Sequence, residues 1–383
     1  MIHLLRKPTV SPKNVPVKPR SSTRLSVLDL LRGYFLIVIL LNHLHYYPSG
    51  LEWVTGESYL YTSTAEGFFL LSGIVLGLVR GAKLVDKPFK IARKLLLQRG
   101  VQLYVTGIVL SFIFTFLGWL FLGQPGLKYG IFTPDGSPFD LIWKTLTLQY
   151  VYGWADFLRM YALFILVSPL ALWLLRKGLW YLVMLASLGI WLLYPLSPWP
   201  AGELSDQVSW QIIFFAGFVI GFHIKSIQAW WQAKSDLWRR VVTNTIWVLA
   251  AITLVINVLL VFGHGIPHIG QFLADMNVTI GSHFDKDRMP LERLLLFGLW
   301  FLALLLLTSR FERWTTKWLG WLLLPLGMNS LYVYTIQAFI VFFLLLVMPL
   351  PLSWPINLLV SLAAIGLMYV AVRTKFLMRI IPR

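Results

Sequence analysis

Residues 27–46 read VLDLLRGYFLIVILLNHLHY, an apolar run of membrane-spanning length whose polar residues include Arg32, Asn42 and His43. A charged side chain at the centre of a membrane helix costs about 2.5 to 3.5 kcal/mol on insertion scales, so such residues are functional candidates. They are expected to face other helices or a cavity rather than lipid. This one stretch therefore predicts both a membrane-embedded helix and the place of a site.

Three ionisable residues follow one side of this helix. Arg32 and His43 are eleven residues apart, which returns them to within about 20° of the same direction. Asp29 lies three residues before Arg32 and close to the same side. The rise from Arg32 to His43 is about 16 Å. The helix would therefore carry a polar seam through roughly half of a bilayer.

The composition supports an all-α polytopic membrane protein. Of 383 residues, 58% are hydrophobic and only 13% are charged, which excludes an ordinary soluble domain. The net charge of +17 does not predict nucleic-acid binding, because the cations collect in particular tails and loops. The chain has no cysteine, which excludes disulfides and thiol nucleophiles.

About ten transmembrane helices are predicted from apolar length. They are 27–47, 62–82, 100–122, 157–175, 179–196, 208–224, 240–262, 292–309, 326–348 and 355–373. Lys and Arg concentrate in both tails and in every second loop, most densely in 80–99. The bias of basic residues toward the cytoplasm predicts that both termini are cytoplasmic.

Two domain-level predictions follow from the loops and tails. Residues 1–24 form a disordered basic cytoplasmic leader, and 25–383 form a single membrane domain. Residues 140–154, within the outer loop 123–156, are apolar but too short to span, so they predict a re-entrant or interfacial segment. The second long outer loop is 263–291.

Glu66 begins the second predicted span, near the outer end of the first span. A carboxylate beside His43 could orient the imidazole as a general base, and a buried structural pair is the alternative. The guanidinium of Arg32 suits a phosphate or a carboxylate. An internal salt bridge to Asp29 is the alternative there.

Further candidates lie at the outer rim and in the ninth span. Asp156 is a rim residue or only a helix cap, and the 283–286 cluster is a substrate contact or a solvated loop. Ser330, Tyr334 and Gln337 share one helix face, where interhelical hydrogen bonding is the structural alternative. The full set of substrate-binding candidates is Asp29, Arg32, Asn42, Ser72, Asp156, Arg159, Tyr161, His283, Asp285, Asn329, Ser330 and Tyr334. No metal site is predicted, because Pro267 separates the spaced pair His264 and His268.

Several strings resemble one family of membrane enzymes. Arg32, ten intervening residues and His43 resemble the first-helix signature of the acyltransferase-3 superfamily. Three further strings resemble the OpgC branch of that superfamily more specifically. They are LDLLRGYF at 28–35, AEGFF at 65–69 with Ser72, and LGMNSL at 326–331. The likeness extends from residue 24 to the C-terminus and implies about ten helices with both ends inside.

The resemblance implies an O-acyltransferase of the bacterial inner membrane. The donor would be cytoplasmic succinyl-CoA or acetyl-CoA, with no permanently bound cofactor, and the acceptor a hydroxyl of a periplasmic glycan, a glucan by preference. His43 would carry the acyl transfer, as a base or covalently, and Arg32 would hold CoA phosphates or the acyl carboxylate. Expected partners are lipid, donor and acceptor, and the oligomeric state is left open.

A different class of function remains as the alternative. A multi-pass transporter or flippase would also line a pathway with buried polar groups and would break no bond. The absence of a visible internal repeat and the concentration of polar residues in the first two spans favour the enzyme.

Overall fold

The computed structural model describes residues 26–56, 59–124, 132, 136–193, 205–348, 352–378 and 381, and all regular structure in these ranges is helical. The predicted all-α class is confirmed, whereas the predicted leader 1–24 lies outside the described residues. The helices are α1 Ser26–Leu44, α2 Glu52–Thr55, α3 Thr64–Leu76, α4 Phe89–Leu120, α5 Pro138–Leu146, α6 Asp156–Arg176, α7 Trp180–Leu193, α8 Ser205–Phe222, α9 Ile224–Gln232, α10 Asp236–Phe262, α11 Gly270–Gly281, α12 Leu291–Arg310, α13 Glu312–Trp318, α14 Gly320–Met328, α15 Ser330–Val347 and α16 Trp354–Thr374.

The number of spans differs slightly from ten. Eight helices in the described residues are long and apolar enough to cross a bilayer, and a ninth counts if α8 and α9, bent by 68°, form one broken span. The predicted fifth span, 179–196, forms the 14-residue helix α7. That helix is shorter than a full span, and its last predicted residues lie outside the described part of the chain.

Two of the predicted spans differ from the observed helices for identifiable reasons. Helix α4 begins at Phe89 rather than at residue 100 and has 32 residues, about 48 Å of helix against a bilayer core of about 30 Å. Its first turns carry charges, which a hydropathy criterion rejects although Lys and Arg favour helix. The predicted span 326–348 is interrupted at Asn329, which separates α14 from α15.

Helix α1 occupies the centre of the bundle. It packs against α3, α12, α14, α15 and α16. In α1 and α15, 67% of the residues in the 18-residue apolar stretch are buried inside the protein, against 22% in α10 and α12. The polar seam of α1 therefore faces protein, as expected for ionisable residues in a membrane helix.

Helix α3 lies directly against α8 through glycines. Gly73 on α3 and Gly77, which begins the π-helical turn after α3, face Gly217 and Gly221 on α8. A Cβ at Gly73 would clash with the carbonyl oxygen of Phe214 on α8. Because these glycines carry no side chains, the backbones of the two helices are in direct contact.

Helices α1 and α14 approach as closely. A Cβ at Gly33 would overlap the carbonyl oxygen of Leu323, and a Cβ at Gly327 would overlap that of Asp29. This contact holds the break at Asn329, and with it the start of α15, beside the polar seam of α1.

The predicted re-entrant or interfacial segment contains the nine-residue helix α5. Phe139, Ile142, Trp143 and Leu146 are exposed on it, whereas Leu141 is buried. Nine residues rise about 14 Å, too little to cross a bilayer.

Candidate active site

Two contacts fix the position of α1 against α15. The Arg32 guanidinium donates to the Oγ of Ser330. The hydroxyl of Tyr46, just beyond α1, donates to the carbonyl oxygens of Leu344 at 3.2 Å and Met348 at 2.9 Å. The partners are 298 residues apart in both the Arg32–Ser330 and the Tyr46–Leu344 contact. The two helices therefore run parallel and in register.

A cavity of about 670 Å³ opens around Arg32. Its walls come from α1, α3 with the following π-helical turn Gly77–Gly81, the first half of α4, α6, and the junction of α14 with α15. The polar lining residues are Arg32, Arg80, Gln98, Arg99, Gln102, Tyr161 and Ser330.

Three guanidinium groups make this cavity strongly cationic. Arg32 is 11% exposed in its side chain and lies 3.8 Å from Asp29, so the predicted ion pair forms alongside the contact with Ser330. Arg99 donates from Nη1 to the Oε1 of Gln102 at 2.8 Å. Arg80 adds a third guanidinium from the end of the extended α3. Such planar, permanently charged groups suit phosphates and carboxylates.

Some of the residues that line this cavity were predicted from the sequence. Arg32, Tyr161 and Ser330 were candidates and come together here. Arg80 and Arg99 were missed, because the basic stretch 80–99 was interpreted only as a marker of the cytoplasmic side. The available signal was that Arg99, with Gln98 and Gln102, follows an unbroken helical pattern into the third span.

His43 lies at the other end of the seam, in the last turn of α1. Its Nδ1 is buried and has no hydrogen-bond partner among the described residues. Lys286 and His45 are near enough to act on its charge. The side-chain oxygen of the adjacent Asn42 accepts a hydrogen bond from the hydroxyl of Tyr47 at 3.0 Å.

The expected pairing of Glu66 with His43 is not present. Glu66 is fully buried, and its Oε1 accepts from the Nε of Arg293 at 2.7 Å and faces the Nη2 of Arg293 at 2.5 Å. Its Oε2 accepts from the backbone N–H of Ser63 at 2.9 Å and from the Ser63 hydroxyl. The Ser63–Glu66 capping box and the buried ion pair thus occupy both carboxylate oxygens.

Arg293, which sequence reasoning did not single out, ties the outer loops to α3. Its Nη1 donates to the carbonyl oxygens of Tyr61 at 2.7 Å and Phe284 at 2.6 Å. The rings of Tyr61 and Phe284 stack with centroids 4.9 Å apart. Because Phe284 is the neighbour of His283 and Asp285, this network positions the predicted outer cluster.

The candidate residues at the outer side fall into two groups. Some lie in the protein interior near His43, and others lie on the surface of the outer loop. Asp156 begins α6, and its Oδ1 accepts from the N–H of Phe157 at 2.5 Å. Lys286 lies near enough to act on both Asp156 and His43, which brings α6, α1 and the outer loop toward one point. His283 is exposed, and Asp285 accepts from the N–H of Asp287 at 2.9 Å.

The remaining candidates have local roles or unused polar groups. Arg159 donates to the carbonyl oxygen of Leu148 at 3.2 Å. Asn329 donates to the carbonyl oxygen of Pro325 at 2.9 Å and so supports the helix break. The hydroxyls of Ser72 and Tyr334 are buried and have no hydrogen-bond partner within the described ranges.

Comparison with protein families decides the assignment. A family model described as OpgC protein matches residues 24–380. The chain belongs to the OpgC family. Membership of the OpgC family indicates a membrane acyltransferase, and the helices make it multi-pass. Searches of curated proteins and of solved structures found no significant match.

Proposed function

We propose that this OpgC protein transfers an acyl group from cytoplasmic acyl-CoA to a hydroxyl of a glycan on the opposite side of the membrane. The observation that carries the proposal is the cavity with three arginines at one end of the α1 seam whose other end is His43. CoA brings several phosphates, which such a cavity would attract and bind. The start of α15 at Ser330 adds the positive end of a helix dipole.

The proposed chemistry is a direct acyl transfer. The acceptor hydroxyl oxygen attacks the thioester carbonyl carbon, so a C–O bond forms and the C–S bond breaks. The hydroxyl proton passes to His43, which then delivers it to the departing CoA thiolate. Lys286, near His43, would stabilise the negative oxygen of the tetrahedral intermediate. In this proposal Glu66 holds the outer architecture through Arg293 rather than orienting His43.

The finer substrate assignments rest on the OpgC relationship. Succinyl is the favoured acyl group, with acetyl as the alternative, and a periplasmic glucan is the favoured acceptor. The protein would act in the bacterial inner membrane, with acyl-CoA as a substrate and no permanently bound cofactor. The outer loops around Asp156 and 283–286 would meet the glycan.

The test is an assay of CoA release by the purified protein. With succinyl-CoA or acetyl-CoA, free CoA should form in proportion to added glucan, and the acyl group should appear on the glucan as an ester. Passage of glucan or acyl-CoA across liposomes without ester formation would instead identify a transporter. Failure of both donors would refute the proposal.

A further inference from the structure

Gln337 is a buried glutamine whose side-chain amide is unpaired among the described residues. Its side chain on α15 is fully buried, and neither Nε2 nor Oε1 has a hydrogen-bond partner among the described residues. Buried amides are almost always hydrogen-bonded, because an unsatisfied one loses its bonds to water without compensation. The structure therefore carries an unused donor and an unused acceptor at one point of the protein interior.

Tyr334 repeats the pattern one turn earlier on α15. Its side chain is 2% exposed and its hydroxyl has no hydrogen-bond partner within the described ranges. The hydroxyl lies beside the backbone N–H of Phe157, but that N–H donates to the Oδ1 of Asp156 at 2.5 Å. A second buried polar group on α15 thus has no hydrogen-bond partner among the described residues, although the Asp156 carboxylate is near enough to act on its charge.

The register of α15 against α1 locates both groups. Ser330, Tyr334 and Gln337 lie on one face of α15, and Ser330 bonds Arg32 at the cationic cavity. With the constant offset between the helices, Gln337 lies about 10 Å beyond Ser330 and about 6 Å before the level of His43. The two unpartnered groups therefore lie between the arginines and the histidine.

We propose that Gln337 and Tyr334 bind the amide groups of the donor's pantetheine arm. This inference rests on the proposed function, since it takes acyl-CoA as the donor. If the CoA phosphates lie at the arginines and the thioester lies at His43, the arm must cross the intervening interior. The arm contains two secondary amides, each with one N–H and one carbonyl, and a primary amide and a hydroxyl can satisfy them.

The test compares two ligands that differ in the arm alone. Binding of CoA and of adenosine 3′-phosphate 5′-diphosphate, which lacks pantetheine, is measured by calorimetry on the purified full-length protein. Gln337→Met and Tyr334→Phe keep the volume of the side chain and remove the polar groups. Each should weaken CoA binding about three- to tenfold and leave the affinity for adenosine 3′-phosphate 5′-diphosphate unchanged.

A matched control separates ligand binding from structure. Gln211 is also buried, but its Oε1 accepts from Ser187 Oγ at 2.6 Å and its Nε2 donates to the Ser187 carbonyl oxygen at 2.7 Å. Gln211→Met should lower the unfolding temperature and leave the ratio of the two affinities unchanged. Gln337→Met should not lower the unfolding temperature of the ligand-free protein, because it removes no bond made within the described residues.

The outcomes are distinct. Equal weakening of both ligands, or unchanged CoA affinity in folded variants, overturns the inference and leaves the proposed function standing. Equal affinity of the wild type for the two ligands does the same. If Gln337→Met does not fold, Tyr334→Phe decides alone. A wild-type protein that binds neither ligand refutes the proposed function and this inference together.

Discussion

His43 combines a position at the end of the α1 seam with a buried ring nitrogen that has no partner among the described residues. We predict that His43→Ala lowers acyl transfer by about 10²- to 10⁴-fold, the usual loss for a general base. The variant should insert and unfold like the wild type. The measurement is CoA release by purified protein, with the exposed His264→Ala as the control that keeps activity. Near-normal turnover in His43→Ala would make His43 structural.

Arg32 is expected to act on the donor. Arg32→Lys keeps the charge but loses the two-pronged geometry, so acyl-CoA affinity should fall about tenfold although the substitution looks conservative. The measurement is equilibrium binding of acyl-CoA without acceptor. Arg239→Lys, whose guanidinium pairs with exposed Asp236 outside the cavity, is the matched control. Unchanged donor affinity combined with an altered acceptor dependence would place Arg32 elsewhere in the mechanism.

The Glu66–Arg293 pair should matter for stability. Both side chains are at most 6% exposed, so Arg293→Met leaves an uncompensated buried carboxylate and should cost about 3 to 5 kcal/mol. Arg293→Met with Glu66→Leu should recover part of that loss. The measurement is denaturant unfolding in detergent. Glu66→Gln keeps the volume and some hydrogen bonding but leaves the Arg293 guanidinium uncompensated, so it should lower stability, and the folded fraction should stay active. Loss of turnover in folded Glu66→Gln protein would restore the carboxylate to the catalytic step.

At the residue scale, sequence reasoning worked where one helix carried the signal. The spacing of Arg32 and His43 places them on one seam because helical geometry alone fixes it. Glu66 was paired with the wrong partner, since its bond to Arg293 joins positions 227 residues apart and no local pattern encodes that contact. Arg80 was overlooked because a basic residue at the end of a membrane helix can mark the cytoplasmic side as readily as it can bind a ligand.

At the scale of elements, the contact between α3 and α8 should be the least tolerant of added volume. Gly73→Ala places a methyl group against the carbonyl oxygen of Phe214 and should reduce the yield of folded protein severely. Gly189, a glycine inside α7, has no atom within 4 Å of an added Cβ, so Gly189→Ala should be neutral or stabilising by up to about 1 kcal/mol. Size-exclusion chromatography and thermal unfolding measure both. Equal behaviour of the two variants would contradict the packing.

The elements themselves were largely predictable, and the exceptions are informative. Each predicted span overlaps at least one described helix, although span 326–348 is interrupted at Asn329 and the end of span 179–196 lies outside the described residues. The start of α4 at Phe89 was missed because a charged helical extension is invisible to a hydropathy window. The break at Asn329 was missed because α14 and α15 are both apolar, so hydropathy does not separate them. The contact of Gly327 with α1 that accompanies the break is tertiary, and no local sequence pattern encodes it.

For the molecule as a whole, the central claim is that donor and acceptor meet through the membrane domain from opposite sides. The cationic cavity and His43 lie at different depths on one seam, as the proposed entry of the two substrates from opposite sides requires. Because the chain has no cysteine, single cysteines can report orientation. Exposed Ser137 and Ser282 are predicted outside, and exposed Lys90 and Ser235 are predicted in the cytoplasm.

Sided proteoliposomes test this claim most directly. Radiolabelled succinyl-CoA is sealed inside vesicles and glucan is added outside. The orientation of the protein is determined by labelling the Ser137→Cys and Lys90→Cys variants from outside the vesicles. We predict that labelled ester forms on external glucan only in vesicles whose Lys90→Cys side faces the lumen, and that His43→Ala abolishes it. Ester formation only when both substrates share one side, or in the opposite orientation, would contradict the account.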